Sequence, residues 1–272
     1  MRTAGVGAAL VALAVSLGGA GTPAWGQYVR RTPIVEAVQK TRNGVVTLKV
    51  QKGEGLGRKD VVGTGVIVDE RGYVVSNCHV VAGARRVAVH LYDGTVLAGE
   101  VLTEDPRHDL AILRVATRKK LEALSFGPSS DLLVGETVIA VGHPFGYTNT
   151  VSTGIVSALG RRVEMPGGEV LRDLIQTTAS INPGNSGGPL LIVNGELIGI
   201  NVAFREGAQG IAFALNADAV QSVLSKHLSA GRVARLAHGL ACREEVRGEV
   251  PESGQGDPDA TDPAPGDLGR SA

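Results

Sequence analysis

Three short stretches of this sequence carry residues suited to acyl-transfer chemistry. Ser186 lies in Asn182-Pro183-Gly184-Asn185-Ser186-Gly187-Gly188-Pro189, His79 in Ser76-Asn77-Cys78-His79-Val80-Val81, and Asp109 in His108-Asp109-Leu110-Ala111-Ile112-Leu113. Glycines let a backbone turn tightly, so successive N–H groups around Ser186 can point into one small cavity. Such a cavity stabilises the oxyanion of a tetrahedral intermediate. A Gly-rich hairpin with an ordinary serine at its tip reads the same way in isolation. What separates the two readings is a base for the serine and a carboxylate to orient that base. His79 follows one strand-like run and Asp109 opens another, so both can be presented at strand ends.

The elements that must hold these residues are short and β-rich. Glycine accounts for 38 of 272 residues, about twice its usual share of roughly 7%, as expected of many turns. Runs at Val45–Val50, Val62–Val68, Tyr73–Ser76, Val87–Tyr92, Thr95–Val101 and Leu110–Val115 are separated by turn signals at barrel-like spacing. Asp93-Gly94 reads as a tight hairpin. A polar stretch from Lys119 to Asp131 follows as a connection. A second set then runs through Glu136–Val141, Thr150–Leu159, Leu174–Thr178, Pro189–Val193, Glu196–Ala203 and Gly210–Ala214, with Asn194-Gly195 as another hairpin. Helical periodicity appears in two places only. Thr32-Pro33 opens one helix, which ends at Asn43-Gly44. Asn216 caps another, with Val220, Val223, Leu224 and Leu228 on one face. The fold class read from this pattern is all-β, with paired antiparallel barrels and a C-terminal helix.

The order His79, Asp109, Ser186 is that of chymotrypsin-type enzymes and differs from subtilisins and α/β-hydrolases, which argues against a serine esterase of the latter fold. His and Asp fall on the first β unit, Ser on the second. At this point the sequence resembles the HtrA/DegP family of serine proteases. The blocks that carry the resemblance are Gly63-Thr64-Gly65-Val66-Ile67-Val68, Ser76 to Val81, Asp109 to Leu113, and Gly184 to Pro189. Ile139 to Gly146, Val151 to Ser157 and Gly210 to Leu215 are similar to further blocks of that family. The resemblance runs from about Val45 to Leu228.

It implies a chymotrypsin-like double β-barrel with a cleft between barrels. Ser186 is then the nucleophile, His79 the base and Asp109 its orienting group. Gly184, Asn185 and Ser186 supply the oxyanion hole. Ile198, Gly199, Ile200 and Asn201, on the strand after the nucleophile, line a substrate pocket suited to small aliphatic side chains. The implied activity is endopeptidase action on unfolded or damaged polypeptides outside the cytoplasm. A non-catalytic, chaperone-like binding module on the same fold is the competing reading. Members of the family assemble through an aromatic-rich N-terminal segment, of which this chain offers only Tyr28 after leader removal; a homotrimer is left open.

Other signals bound the organisation. Residues 1–26 read as a signal peptide, with Arg2 before an apolar stretch from Val6 to Leu17 and small residues after it. That implies export, to the periplasm or beyond, with no integral span once the leader is cleaved; an uncleaved membrane anchor is the alternative reading of the same stretch. The protease domain is expected over 27–231. Residues 232–272 read as a vestigial linker and a disordered polar tail. A PDZ domain of the family's kind needs roughly 80–100 residues and is not expected there. With 27 basic against 27 acidic side chains, nothing points to nucleic acid as a partner. The histidines lack metal-ligand spacing, so neither a metal nor a cofactor is expected. His143 reads as structural. Cys78 and Cys242 make no disulfide framework. Cys78 reads as a small half-buried hydrophobe, and a redox brake on its neighbour His79 is the less favoured reading.

Overall fold

A computed structural model of the chain describes residues 30–53, 58–142, 150–165, 168–204 and 210–228. The leader at 1–26, Tyr28, His143, Cys242 and the segment 232–272 lie outside the described residues.

The first six strands are β1 (Val45–Lys52), β2 (Lys59–Asp69), β3 (Tyr73–Ser76), β4 (Ala84–His90), β5 (Val96–Asp105) and β6 (Leu110–Val115). They close a barrel in the order β1-β2-β3-β6-β5-β4, with β4 returning to pair with β1. The second six are β7 (Thr137–Gly142), β8 (Thr150–Glu164), β9 (Val170–Thr177), β10 (Pro189–Ile192), β11 (Leu197–Phe204) and β12 (Ala212–Asn216). They close in the order β10-β11-β12-β9-β8-β7, and β7 pairs back onto β10. Closure removes the open edges that would otherwise invite aggregation.

Period-2 alternation sends one face of each strand inward. In the first barrel Val46, Leu48 and Val50 of β1 meet Val87 and Val89 of β4 and Leu113 and Val115 of β6. In the second, Val138 and Ala140 meet Ile175, Leu190, Ile198 and Ala214. Both interiors are aliphatic. Full burial of each Val, Leu or Ile is worth about 1.5–3 kcal/mol, which suits a domain with little help from aromatics.

The expected hairpins form. Gly94 N–H donates to Leu91 O at 3.1 Å, and Gly195 N–H to Ile192 O at 2.9 Å. Helix α1 (Pro33–Thr41) is capped by Thr32, whose hydroxyl accepts from Val35 N–H, with Pro33 in its first turn. Helix α3 (Ala217–His227) starts where Ala219 N–H donates to the Asn216 side chain. The polar connection between barrels is ordered by both of them. Leu124 N–H donates to Ile67 O of β2 at 2.9 Å, and Gly127 N–H donates to Leu197 O of β11 at 3.0 Å.

Two local elements were not legible beforehand. A four-residue helix, α2 (Cys78–Val81), follows β3, and a single 3₁₀ turn at Pro106–His108 precedes β6. Each is too short to leave a periodic signature; α2 carries His79, and Asp109 directly follows the 3₁₀ turn.

Candidate active site

His79 sits in the first turn of α2. That turn is anchored because its neighbours Cys78, Val80 and Val81 are buried in the first barrel, while the imidazole stays 46% exposed. Its carbonyl accepts a hydrogen bond from Lys52 Nζ at 2.9 Å.

Asp109 closes the 3₁₀ turn. Asp105 caps that turn through Arg107 N–H, Pro106 opens it, and Asp109 N–H donates to Pro106 O at 3.2 Å. Asp109 itself lies in the left-handed region, φ 48° and ψ 43°. Short polar side chains tolerate that region where bulky ones do not. The twist aims its carboxylate at α2. Oδ2 lies 2.6 Å from His79 Nδ1, and Oδ1 accepts from His79 N–H at 2.9 Å. Its carbonyl accepts from Cys78 N–H at 3.1 Å and from Asn77 Nδ2 at 3.0 Å. With the carboxylate ionised, the short contact requires a proton on Nδ1, and in the neutral imidazole this tautomer has its free lone pair on Nε2.

The nucleophile loop is built from close approaches. Gly188 N–H donates to Asn185 O, and Asn185 N–H to Asn182 O, both at 2.9 Å. Gly187 N–H donates to Asn201 O at 2.9 Å, and Asn201 N–H returns to Gly188 O at 2.8 Å. Gly184 has φ 103° and Gly187 φ 81°. A Cβ on Gly187 would lie 2.2 Å from both Ser76 Oγ and Thr64 O. The loop therefore packs against the end of β3, three residues ahead of His79. Gly187→Ala is expected to lose activity and to unfold at lower temperature. The left-handed backbone alone costs about 1–2 kcal/mol, or about 2–8 °C in a domain of this size, and the clash adds to it. An unchanged Tm in a thermal scan would contradict this packing.

Among the described residues, the N–H groups of Gly184 and Ser186 have no protein acceptor. They are the two open donors of the expected oxyanion hole. Asn185 differs, since its N–H is taken by Asn182 and its side chain is buried against Gly142. Ser186 Oγ is half-buried and donates to Val202 O at 3.3 Å. It makes no hydrogen bond to His79 in this conformation. Catalytic contacts are often loose without substrate, and rotation about one side-chain bond frees the hydroxyl.

The expected pocket strand falls on β11. Ile198 belongs to the second-barrel core, and Ile200 is fully buried. A Cβ on Gly199 would press on Leu215 O at 2.6 Å. Asn201 is buried, and Nδ2 donates to Pro189 O at 3.0 Å. Its visible work is to hold the loop after Ser186. Val202, one residue further, makes the contact to Ser186 itself. Sequence reasoning missed Val202 because a backbone carbonyl leaves no mark on residue type.

Cys78 is a buried free thiol whose Sγ donates to Glu104 Oε2 at 3.6 Å. Burial, then the negative charges of Glu104 and Asp109, push it up to about 12. The thiolate is the reactive form, so this group is inert near neutrality. Iodoacetamide at pH 8 is expected to leave Cys78 unmodified in the native protein and to modify it in urea, read by peptide mass mapping. Rapid native labelling would reverse that assignment.

Among the described residues no cluster of three His, Cys, Asp or Glu side chains could hold a metal. None of their helices is long and apolar enough to cross a membrane. A groove of about 700 Å³, lined by β1, β2, β4 and β5 residues including Lys49, Asp60, Arg86 and Val96, lies among strands that bear none of the three candidate catalytic residues.

Residues 63–200 match the trypsin-like peptidase domain family, and the span reaches from the Gly63 block past Ser186. The periplasmic serine endoprotease DegP of Escherichia coli K12 is 42% identical over 197 residues, 70% of this chain and 41% of that protein. The chloroplastic protease Do-like 1 of Arabidopsis thaliana is 40% identical over 183 residues, 65% of this chain and 42% of that protein. The chain thus spans about two fifths of the length of these relatives. Among solved structures, the HtrA-type protease AlgW with a tripeptide superposes with a TM-score of 0.67 at 36% identity, covering 74% of this chain and 65% of that one. By sequence and by fold, this chain belongs to the trypsin-like peptidase family and is of HtrA type.

Proposed function

We propose that the chain is a serine endopeptidase that cleaves unfolded polypeptides outside the cytoplasm, with 27–231 as its catalytic domain. The observation that carries this reading is the 2.6 Å contact between His79 Nδ1 and Asp109 Oδ2, set beside a serine loop with two open N–H donors. In the mechanism Ser186 Oγ leaves Val202 O and attacks the scissile carbonyl while His79 Nε2 takes its proton. The N–H groups of Gly184 and Ser186 hold the oxyanion. Collapse of the intermediate breaks the peptide bond, and His79 hands the proton to the leaving amine. Water then repeats the cycle on the acyl-enzyme, with His79 again the base. Val202 O, once released, is an acceptor for a substrate N–H beside the scissile bond.

An aliphatic β11 with no acidic residue from Leu197 to Val202 supports cleavage after small apolar residues rather than after Lys or Arg. Export to the periplasm is part of the same proposal; its supports are the leader-like residues 1–26 and the name of the Escherichia coli relative. The test is digestion of β-casein, an unfolded protein. Wild type is expected to fragment it after Val, Ala or Ile, and Ser186→Ala to leave it whole. Intact casein with both proteins, together with suppressed aggregation of a denatured client, would instead support a chaperone-like binding module.

A further inference from the structure

We propose that Thr64 of β2 is a positioning residue for the oxyanion hole, acting from the first barrel on the nucleophile loop of the second; this rests on the protease reading above. Thr64 is fully buried. Its hydroxyl donates to Gly184 O at 2.6 Å and its N–H donates to Ser186 O at 3.0 Å. Its own carbonyl accepts from Ser76 Oγ, also fully buried, at 2.7 Å.

The consequence follows from peptide planarity. Gly184 O belongs to the peptide unit that ends in Asn185 N–H, and that N–H donates to Asn182 O. The unit is therefore held at both ends, by Thr64 and by Asn182. Ser186 O belongs to the unit that ends in Gly187 N–H, which donates to Asn201 O. That unit too is held at both ends, again with Thr64 on the carbonyl side. The two open N–H groups, of Gly184 and Ser186, belong to the peptide units immediately before each held one. The unit carrying the Ser186 N–H lies between the two held planes, and the unit carrying the Gly184 N–H adjoins the first of them, so fixing these planes restricts the directions of both donors.

Such a restraint is needed here. Gly184 has φ 103°, and glycine populates several backbone regions at similar energy. Without the bond from Thr64, nothing among the described residues secures the Gly184 carbonyl from the side of the first barrel. The same bonds link the barrel bearing His79 and Asp109 to the loop bearing Ser186, so Thr64 places the nucleophile and its base in one frame.

The variants are Thr64→Val, which removes the hydroxyl at nearly constant shape, and Thr64→Ser, which keeps it. Both leave the triad intact. Small displacements of a catalytic array cost up to about 100-fold, so Thr64→Val is expected to lower kcat on a peptide substrate by about 10–100-fold, with KM within about twofold. A peptide aldehyde should lose affinity by the same factor as kcat, because its hemiacetal oxygen occupies the oxyanion hole. A product peptide should bind as before, and Thr64→Ser should regain most of the lost rate. If circular dichroism finds the valine variant unfolded, Thr64→Cys, with its weak donor, carries the same expectations. Wild-type kcat and aldehyde affinity in the folded variant, or a serine variant as impaired as the valine one, would overturn the proposal alone. A wild type that neither cleaves peptide nor binds aldehyde would overturn the protease reading and this proposal with it.

Discussion

Ser186→Ala and His79→Ala are each expected to lower kcat for peptide cleavage by about 10⁶, and the double variant by no more than either alone. The reason is that the two act as one unit. A serine without its base is a weak nucleophile at neutral pH, and a base without its serine has no proton to take. The residual rate should still exceed uncatalysed hydrolysis by about 10³–10⁴, since the N–H groups of Gly184 and Ser186 survive both changes. The check is kcat and KM for the three variants on one peptide, with KM nearly constant. Losses that multiply in the double variant would mean that His79 and Ser186 contribute separately, against the arrangement proposed here.

Asp109→Asn is expected to cost about 10⁴ in kcat, by analogy with the same change in other enzymes bearing this triad. The local geometry says how. Asp109 presents two acceptors to one residue, Oδ2 to the His79 ring and Oδ1 to the His79 N–H. Asparagine has one acceptor and one amide group. The backbone N–H can only donate, so it takes the oxygen, and the amide NH₂ is left facing Nδ1. An imidazole in that setting accepts at Nδ1 and carries its proton on Nε2, the atom that should receive the serine proton. Folding should survive, because asparagine also tolerates the left-handed backbone at φ 48°. The measurements are kcat from pH 6 to 10 and the Tm. A near-native kcat, or a loss of activity explained by unfolding, would contradict the tautomer argument.

The fold was legible wherever periodicity was long enough to read. The limits of β3 and β6, Tyr73–Ser76 and Leu110–Val115, coincide with the expected runs, since buried aliphatics end at turn residues on both sides. β8 was expected to stop at Leu159, yet it continues to Glu164, because its far half pairs with β9 while remaining largely exposed and carries no burial pattern. The three candidate catalytic residues were found from residue type and order. Their supports were not. Thr64, Asn77 and Val202 act through a buried hydroxyl, a side-chain amide and a backbone carbonyl, and such groups reveal their use only when distant strands meet. The pocket reading shows the same limit. Ile198 and Asn201 were expected to line a pocket from their place in the chain; register sends Ile198 into the barrel core and sets Asn201 against the loop that holds Ser186.

Stable modification by a fluorophosphonate requires a deprotonatable serine and an oxyanion hole together. Incubating the wild-type protein with such a probe and mapping the adduct by mass spectrometry is therefore the most direct measurement. The expected result is one adduct, on Ser186, absent from His79→Ala and slowed in Asp109→Asn. No adduct on folded wild-type protein, or an adduct on another residue with Ser186 untouched, would contradict the assignment of His79, Asp109 and Ser186 as a working triad.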